Sequence, residues 1–256
     1  MALKLTILGC GTSTGVPRIG NDWGDCDPEE PKNRRSRVSI LVESPTTRIL
    51  VDTSPDLRSQ FLDNDIDQID AVLWTHDHAD HCHGIDDLRS VFQKLQKPIP
   101  SYARPFTIGS LESRFAYAFE GHKYYPPICE AIALEENVQI GDIDVRYVDQ
   151  PHGRITSAGF RFEYGDKSVC YATDFGEVTA DMQSLYQGCN LLVVDALRDK
   201  PHPTHAHLDM TLALIDEAQP DHSLLTHMDK SMDYNRLVAI LPDDVEPAYD
   251  GCVREV

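Results

Sequence analysis

The 256-residue sequence lacks the features that mark secreted, membrane-spanning and disulfide-stapled proteins. Its seven cysteines stand singly and form no CxxC pair, which argues against a disulfide framework or a cysteine-rich zinc knuckle. No apolar run approaches the roughly 20 residues that cross a bilayer. The opening MALKLTILGCGTSTG has neither the charged nor the apolar region of a secretory signal. We therefore expect a soluble, cytoplasmic protein with no membrane partner.

Basic residues are scarce: 23 Lys and Arg stand against 42 Asp and Glu, giving a formal net charge of −19. Polyanion binding depends largely on Lys and Arg that neutralise phosphates, so a stable nucleic-acid partner is not expected. A small anionic ligand can still bind where a bound cation offsets the acidic surroundings. The one marked basic cluster, KNRRSR at 32–37, is either a solvated loop or a guide for a phosphate.

Internal repeats, low-complexity tracts and Gly/Ser-rich linkers are also missing, so one domain over residues 1–256 is expected. Short β-type runs recur at 3–9, 38–43, 48–53, 70–75, 143–149, 168–173, 190–196 and 222–227. Helix-like segments fall between the later runs, at 84–96, 110–120, 178–187 and 209–219. EYGDKS at 163–168 predicts a hairpin turn. Strands that first follow one another and later alternate with helices favour a layered α/β architecture.

Polar side chains follow four of these runs directly. WTHDH, VDQPHG, CYATDFG and LLTHMD each place a His or Asp just beyond the carboxyl end of a strand. Binding residues of layered α/β proteins gather at such edges, on loops held by a rigid sheet. Four motifs of one kind predict convergence on one site.

The most concentrated of these motifs is THDHADH at 75–81. His76 and His78 alternate by two, so an extended backbone points both imidazoles the same way. Such groups are costly to bury alone and repel when protonated together; a bound cation resolves both problems. Asp80 and His81 follow, so the segment can serve two ions of a type that imidazole and carboxylate suit, namely Zn²⁺, Mn²⁺ or Fe²⁺. The later motifs would complete the two shells with His152, Asp174 and His227.

THDHADH, with PHG, ATDFG and LTH following in this order, resembles the metallo-β-lactamase superfamily. The resemblance implies a four-layer αββα sandwich that carries two divalent ions, Zn²⁺ or Mn²⁺, at one edge of its sheets. It also implies the ligands: His76, His78 and His152 for the first metal, Asp80, His81 and His227 for the second, and Asp174 as the bridge.

Further motifs resemble the phosphodiesterase branch of this superfamily. LGCGTSTGVP (8–17), HGIDDLR (83–89), PHPTHAHL (201–208) and YDG (249–251) are most similar to the phosphoribosyl cyclic phosphodiesterases. Asp174, rather than Cys, at the bridging position argues against β-lactam hydrolysis. His205 matches the extra catalytic histidine of the branch, whereas His207 is interpreted as a surface residue or a neighbour of the site.

The resemblance implies that a hydroxide formed near neutral pH attacks phosphorus in a small cyclic or nucleotide-like phosphodiester. Asp80 would accept the proton of the hydroxide. His205 would stabilise the phosphoryl oxygen or protonate the departing alkoxide, which is a poor leaving group. Superfamily phosphodiesterases are commonly dimeric, so a homodimer is also considered, although no apolar stripe marks an interface.

One part of the family pattern is missing. The phosphoribosyl cyclic phosphodiesterases carry a structural zinc held by N-terminal cysteines and by a His three residues after the last metal histidine. Here the N-terminal loop offers only Cys26, and the later position holds Lys230. We therefore expect no structural zinc, and the family substrate does not transfer directly.

Three other functions stay open. Enzymes of tRNA 3′-end processing share the metal residues, but they hold tRNA with a long basic arm between the third His and the bridging Asp. The corresponding interval here, 152–174, is short and predicts a hairpin. Thioester or lactone hydrolysis is compatible with the same metal residues. A degenerate member could act as a non-catalytic accessory protein.

Overall fold

Two seven-stranded sheets form the framework of the computed structural model, which describes residues 2–256. The first sheet contains β1 (Lys4–Gly9), β2 (Ser39–Glu43), β3 (Arg48–Val51), β4 (Ala71–Leu73), β5 (Ile99–Ala103), β6 (Cys129–Ala133) and β14 (Val253–Glu255). Its spatial order is β14-β1-β2-β3-β4-β5-β6. Pairing is antiparallel from β14 to β3 and parallel from β3 to β6.

The second sheet has the same number of strands and again mixes both kinds of pairing. It contains β7 (Val138–Ile140), β8 (Ile143–His152), β9 (Ile155–Tyr164), β10 (Lys167–Ala172), β11 (Leu191–Asp195), β12 (His222–Thr226) and β13 (Val245–Pro247). The order is β13-β12-β11-β10-β9-β8-β7, parallel from β13 to β10 and antiparallel from β10 to β7. Gly165, with φ of +65°, lies in the tight β9–β10 turn, so the hairpin predicted at EYGDKS is confirmed.

Within residues 2–256, eight helices connect the strands. They are α1 (Leu57–Asp63), α2 (Ala79–Cys82), α3 (Leu88–Leu95), α4 (Pro105–Arg114), α5 (Ala116–Phe119), α6 (Ala180–Tyr186), α7 (Leu208–Ala218) and α8 (Tyr234–Ile240), with 3₁₀ turns at Pro31–Asn33 and Ile85–Asp87. The helix predicted at 110–120 is corrected: α4 begins earlier, with Pro105 in its first turn, and the chain breaks at Phe115 before α5. Over residues 2–256, none of the helices has the length and apolarity that a bilayer crossing demands.

Side chains of the first sheet alternate between two apolar surroundings. Leu41, Leu50 and Val72 pack on the outer face with residues of α1, α3 and α4. Their neighbours Ile40 and Leu73 belong to the core that the two sheets share. Because successive side chains of a strand face opposite ways, strands covered on both sides read as continuous apolar runs.

The second sheet contributes residues such as Phe160 and Phe162 to the shared core, and α6 and α7 pack against its strands β8, β9 and β11. The layers therefore run helix, sheet, sheet, helix. This confirms the predicted four-layer αββα sandwich. The carboxyl ends of β4, β8, β10 and β12 lead directly into the polar motifs that the sequence singled out.

Candidate metal centre

The first cluster of ligand-type atoms joins the two sheets. His76 and His78 follow β4, His152 ends β8, and their ligand atoms lie within 4.8 Å of one another. Nε2 of His152 is 3.3 Å from Nδ1 of His78. Nδ1 of His152 donates to the carbonyl of Thr204 at 2.8 Å, which leaves Nε2 free to bind a metal.

The second cluster combines Asp80, His81 and His227, again with ligand atoms within 4.8 Å of one another. The short helix α2 presents Asp80 and His81, and His227 follows β12. Oδ2 of Asp80 lies 3.6 Å from Nε2 of His81 and 3.6 Å from Nε2 of His227. All three residues are buried.

Asp174 lies between these clusters. Its Oδ1 is 3.8 Å from Nε2 of His76 and 3.7 Å from Nε2 of His227, while its Oδ2 is 3.2 Å from Nε2 of His81. Asp174 and His227 both adopt positive φ, +59° and +57°, a conformation that non-glycine residues keep only where the surroundings impose it. The structure thus brings together all seven side chains that the sequence nominated as ligands.

The nitrogens of this centre need a partner that residues 2–256 do not supply. Nε2 of His76, His81 and His227 is buried and forms no hydrogen bond. A buried polar atom without a partner is costly, and an imidazole nitrogen turned toward carboxylates is a usual ligand of divalent cations. The donor set therefore fits divalent metal ions.

The carboxylates dominate the electrostatics of the centre. Burial disfavours a charged His227, but the carboxylates of Asp174, Asp80 and Asp195 together outweigh burial and raise the pKa of His227 to about 9. Burial likewise opposes charge on Asp80, yet nearby His81 and His227 hold the pKa of Asp80 below its ordinary value. A cation that binds here must displace protons from imidazole, so metal binding is expected to weaken as pH falls.

Asp52 supports the centre from behind, and the sequence analysis did not identify it. It is fully buried, with φ of +63°, and its carboxylate accepts from Nδ1 of His81 at 2.7 Å. The same carboxylate accepts the backbone N–H of Thr75 at 2.8 Å. The available signal was an Asp at the end of the apolar run RILVD, the same placement that marked the ligands.

Asp195 is a second buried carboxylate that the sequence analysis missed, at the end of the apolar run LLVVD. Its Oδ2 accepts from Nδ1 of His205 at 3.1 Å and from the backbone N–H of Asp174 at 3.1 Å. His205, nominated as catalytic, therefore lies at the centre, with Nδ1 3.6 Å from Oδ1 of Asp174. His207 is the N-cap residue of α7 and does not line the adjoining cavity.

A cavity of about 260 Å³ opens above the clusters. Asp80 and His205 line it, and Ser13 shows that the Gly-rich N-terminal loop forms part of its wall. A larger cavity of about 540 Å³ lies on the other side of that loop and contains none of the clustered ligands. The smaller cavity is the one that offers acid–base chemistry next to a metal centre.

The residues at the position where the resemblance would place a structural zinc have other partners. The ammonium of Lys230 pairs with Asp22 at 2.5 Å, and Sγ of Cys26 lies 4.0 Å from the guanidinium of Arg35. The expectation that no structural zinc binds here stays a prediction.

Comparison with known families shows the family to which this chain belongs. Residues 47–228 match the Beta-lactamase superfamily domain. The chain belongs to the beta-lactamase superfamily. This superfamily member is also similar to a crystal structure described as a new diphosphatase from the PhnP family. The two are 34% identical with a TM-score of 0.91, over 100% of this chain and 98% of that one.

Two further similarities are more restricted. An octanoyltransferase of Porphyromonas gingivalis is 31% identical over 255 residues, 97% of this chain but 51% of that protein. The chain spans about half the length of the curated relatives it matches. Zn²⁺-bound PqqB from Methylobacterium extorquens is 20% identical with a TM-score of 0.79, over 99% of this chain and 100% of that one, a likeness of fold alone.

Proposed function

We propose that this superfamily member is a metal-dependent hydrolase that cleaves small cyclic or nucleotide-like phosphodiesters. The observation that carries the proposal is the placement of His205, which Asp195 orients at 3.1 Å beside the clustered ligands and which faces the adjoining cavity. The similarity to a PhnP-family diphosphatase over the whole chain supports phosphorus chemistry in particular.

Two divalent ions, Zn²⁺ or Mn²⁺, fit the donor set. When bound, they lower the pKa of water toward neutrality and neutralise charge on phosphoryl oxygens. The residues that would hold them are His76, His78 and His152 for one ion, Asp80, His81 and His227 for the other, and Asp174 between the two.

Side chains of the protein would then accept and donate the protons of the reaction. Asp80 stays ionised at neutral pH because its pKa is held low. As a carboxylate, it would accept the proton of the attacking water. His205 is held by Asp195 at Nδ1, which leaves Nε2 to contact the substrate. From Nε2, His205 would donate a proton to the departing alkoxide or stabilise a phosphoryl oxygen.

Processing of tRNA 3′ ends is the first alternative, and the local fold argues against it. Between His152 and Asp174 the chain forms only the β9–β10 hairpin, which leaves no room for a long RNA-binding arm. The net charge of −19 also disfavours a polyanionic partner. Metal-loaded protein should leave a precursor tRNA uncleaved.

Hydrolysis of thioesters or lactones is the second alternative, since the metal residues would permit it. His205 favours phosphodiesters over thioesters, because an alkoxide leaving group needs a proton more than a thiolate does. The P. gingivalis relative is named for octanoyl transfer. Among the described residues that line this cavity, none has a thiol or an amine that could carry an octanoyl group. This chain covers only 51% of that relative.

The deciding experiment uses one metal-loaded preparation with two substrates. Bis(p-nitrophenyl) phosphate should be hydrolysed, and a matched acyl thioester should be hydrolysed far more slowly. Preference for the thioester would overturn the phosphodiesterase proposal while retaining a hydrolase. Metal analysis of the same sample, with about two ions per chain expected from the two-cluster donor set, tests the dinuclear assignment.

A further inference from the structure

His78 differs from the other two imidazoles of the first cluster in what holds it. Nδ1 of His76 lies 3.0 Å from Oγ1 of Thr75, and Nδ1 of His152 lies 2.8 Å from the carbonyl of Thr204. Such hydrogen bonds fix the orientation of a ligating imidazole. His78 is exposed, and within residues 2–256 its imidazole has a hydrogen-bond partner only in His152, a fellow ligand, at 3.3 Å. The position of His78 therefore depends on its backbone.

Arg114, at the end of α4, holds the residue before His78. Its guanidinium donates to the backbone carbonyl of Asp77 and lies 3.4 Å from Oδ2 of the same residue. Nη2 of the guanidinium donates to Nε2 of His83 at 2.8 Å. Ser110, one helical turn earlier, donates to Oδ2 of Asp77 at 2.5 Å. Asp77 is thus held by both its main chain and its side chain, and its carbonyl belongs to the peptide bond that leads into His78.

Helix α4 is a firm support for these contacts. Its residues Ile108 and Leu111 are buried in the apolar layer outside the first sheet. Ser110 and Arg114 are four residues apart, so they project from one side of the helix, where both reach Asp77. The segment that carries the candidate ligands is therefore fastened to a buried helix of the outer layer.

We propose that Arg114 is a positioning residue of the first cluster. Through Asp77 it fixes the backbone that carries His78, and it thereby raises the affinity of this cluster for its divalent ion. The inference rests on the metal centre of the proposed function, but not on the bond that is hydrolysed. The second cluster has a support of its own, because Asp52 holds His81 at 2.7 Å. Loss of Arg114 should therefore weaken the binding of one ion and spare the other.

Binding of Zn²⁺ in competition with a chromophoric chelator tests this without a substrate. Outer contacts of a ligating imidazole typically contribute about 10–100-fold to metal affinity, so Arg114→Ala should weaken one of the two ions by that factor and the other less than about threefold. Arg114→Lys should restore part of the loss, because it keeps the charge and loses the planar fork. Ser110→Ala should weaken the same ion to a smaller extent, since Arg114 still holds the carbonyl of Asp77.

Arg89→Ala is the matched control. The side chain of Arg89 is 37% exposed, against 36% for Arg114, and its guanidinium pairs with Asp86 at 2.7 Å. The substitution removes the same charge from α3 and should leave both Zn²⁺ affinities unchanged. Metal-free Arg114→Ala and Arg89→Ala should melt within about 2 °C of each other, because each loses one partly exposed ion pair.

A double-mutant cycle identifies the affected ion. In a His78→Ala background, Arg114→Ala should add less than about twofold to the loss of affinity, because the imidazole that Arg114 positions is gone. In a His227→Ala background, which damages the second cluster, Arg114→Ala should keep its full effect on the remaining ion. Full additivity with His78→Ala, equal weakening of both ions, or unchanged affinities would overturn the role of Arg114.

The two proposals fail separately. A wild type that binds Zn²⁺ but leaves bis(p-nitrophenyl) phosphate intact would overturn the proposed function, while the affinities still decide the role of Arg114. A wild type that binds a single ion would overturn the dinuclear assignment. Arg114→Ala should then weaken that ion as His78→Ala does, and an ion that Arg114→Ala leaves unaffected would overturn the role of Arg114.

Discussion

Nδ1 of His205 and the backbone N–H of Asp174 donate to the same carboxylate oxygen of Asp195, each over 3.1 Å. One buried side chain therefore sets the position of both the candidate acid and the candidate bridging ligand. Because Asp195 follows directly from the apolar strand β11, its carboxylate is held by the sheet itself. The acid and the metal centre are consequently aligned by one rigid element.

Replacing His205 with Ala should separate catalysis from metal binding. Loss of a general acid typically costs about 10²–10⁴-fold in rate, so kcat for a phosphodiester with an alkoxide leaving group should fall by that order. Metal content should stay the same as in the wild type, as measured by elemental analysis. His222→Ala is the control, because His222 begins β12 and pairs with Glu246 at 2.8 Å, outside the cavity. Parallel loss of metal and activity in His205→Ala would make His205 a ligand.

Asp195→Asn keeps the size of the side chain and removes its charge. Residues that orient a catalytic or ligating imidazole typically contribute about 10–100-fold to activity or metal affinity, so a loss of that size in kcat is expected. Asp195→Ala should lose more, because it leaves both N–H groups without an acceptor. Thermal melts of the two variants distinguish misfolding from misorientation of His205. Asp195→Asn should melt close to the wild type. An Asn variant with unchanged kcat would show that the charge of Asp195 is dispensable.

Divalent metal should stabilise the fold. A cation present at 100 times its Kd contributes about 2.7 kcal/mol, which corresponds to a rise in Tm of about 5–10 °C for a chain of this size. Adding Zn²⁺ or Mn²⁺ to chelator-treated protein should produce this shift in a fluorescence melt. His76→Ala removes a buried donor of the first cluster and should reduce the shift, whereas His122→Ala, outside both clusters, should preserve it. A shift of equal size in all three proteins would place the bound ions elsewhere.

Cys82 should be unreactive although it follows His81 directly. Burial raises the pKa of Cys82 to about 12, so at pH 8 only about one thiol in ten thousand is ionised. Iodoacetamide should leave Cys82 unmodified in the native protein and label it after denaturation, as read by peptide mass spectrometry. Labelling of the native protein should rise about tenfold per pH unit up to at least pH 10, since thiolate is the reacting form. Fast labelling at pH 8 would point to an exposed or metal-activated thiol.

Much of the fold followed from periodicity, and most of the strands that escaped prediction lie at the edges of the two sheets. Four of them, β6, β7, β13 and β14, are the outermost strands of the two sheets. Edge strands bury fewer side chains, so their apolar pattern is weak and their length short. The inner strand β5 was missed for a different reason: Pro100 interrupts its pattern.

The ligand-type residues were predictable because they are concentrated in motifs, whereas their supports were not. Asp52 lies 29 positions before the His81 that it holds, and Asp195 lies 21 positions after the Asp174 whose backbone it accepts. Each is a single carboxylate at the end of an apolar strand, so its partner becomes visible only when the strands are placed side by side.

The segment at 76–81 extends from the first sheet, while His152, Asp174 and His227 extend from the second. Neither sheet alone supplies all the candidate ligands of either cluster. A divalent ion held by both sets of residues would link the two sheets, so its binding would depend on the correct packing of one sheet on the other.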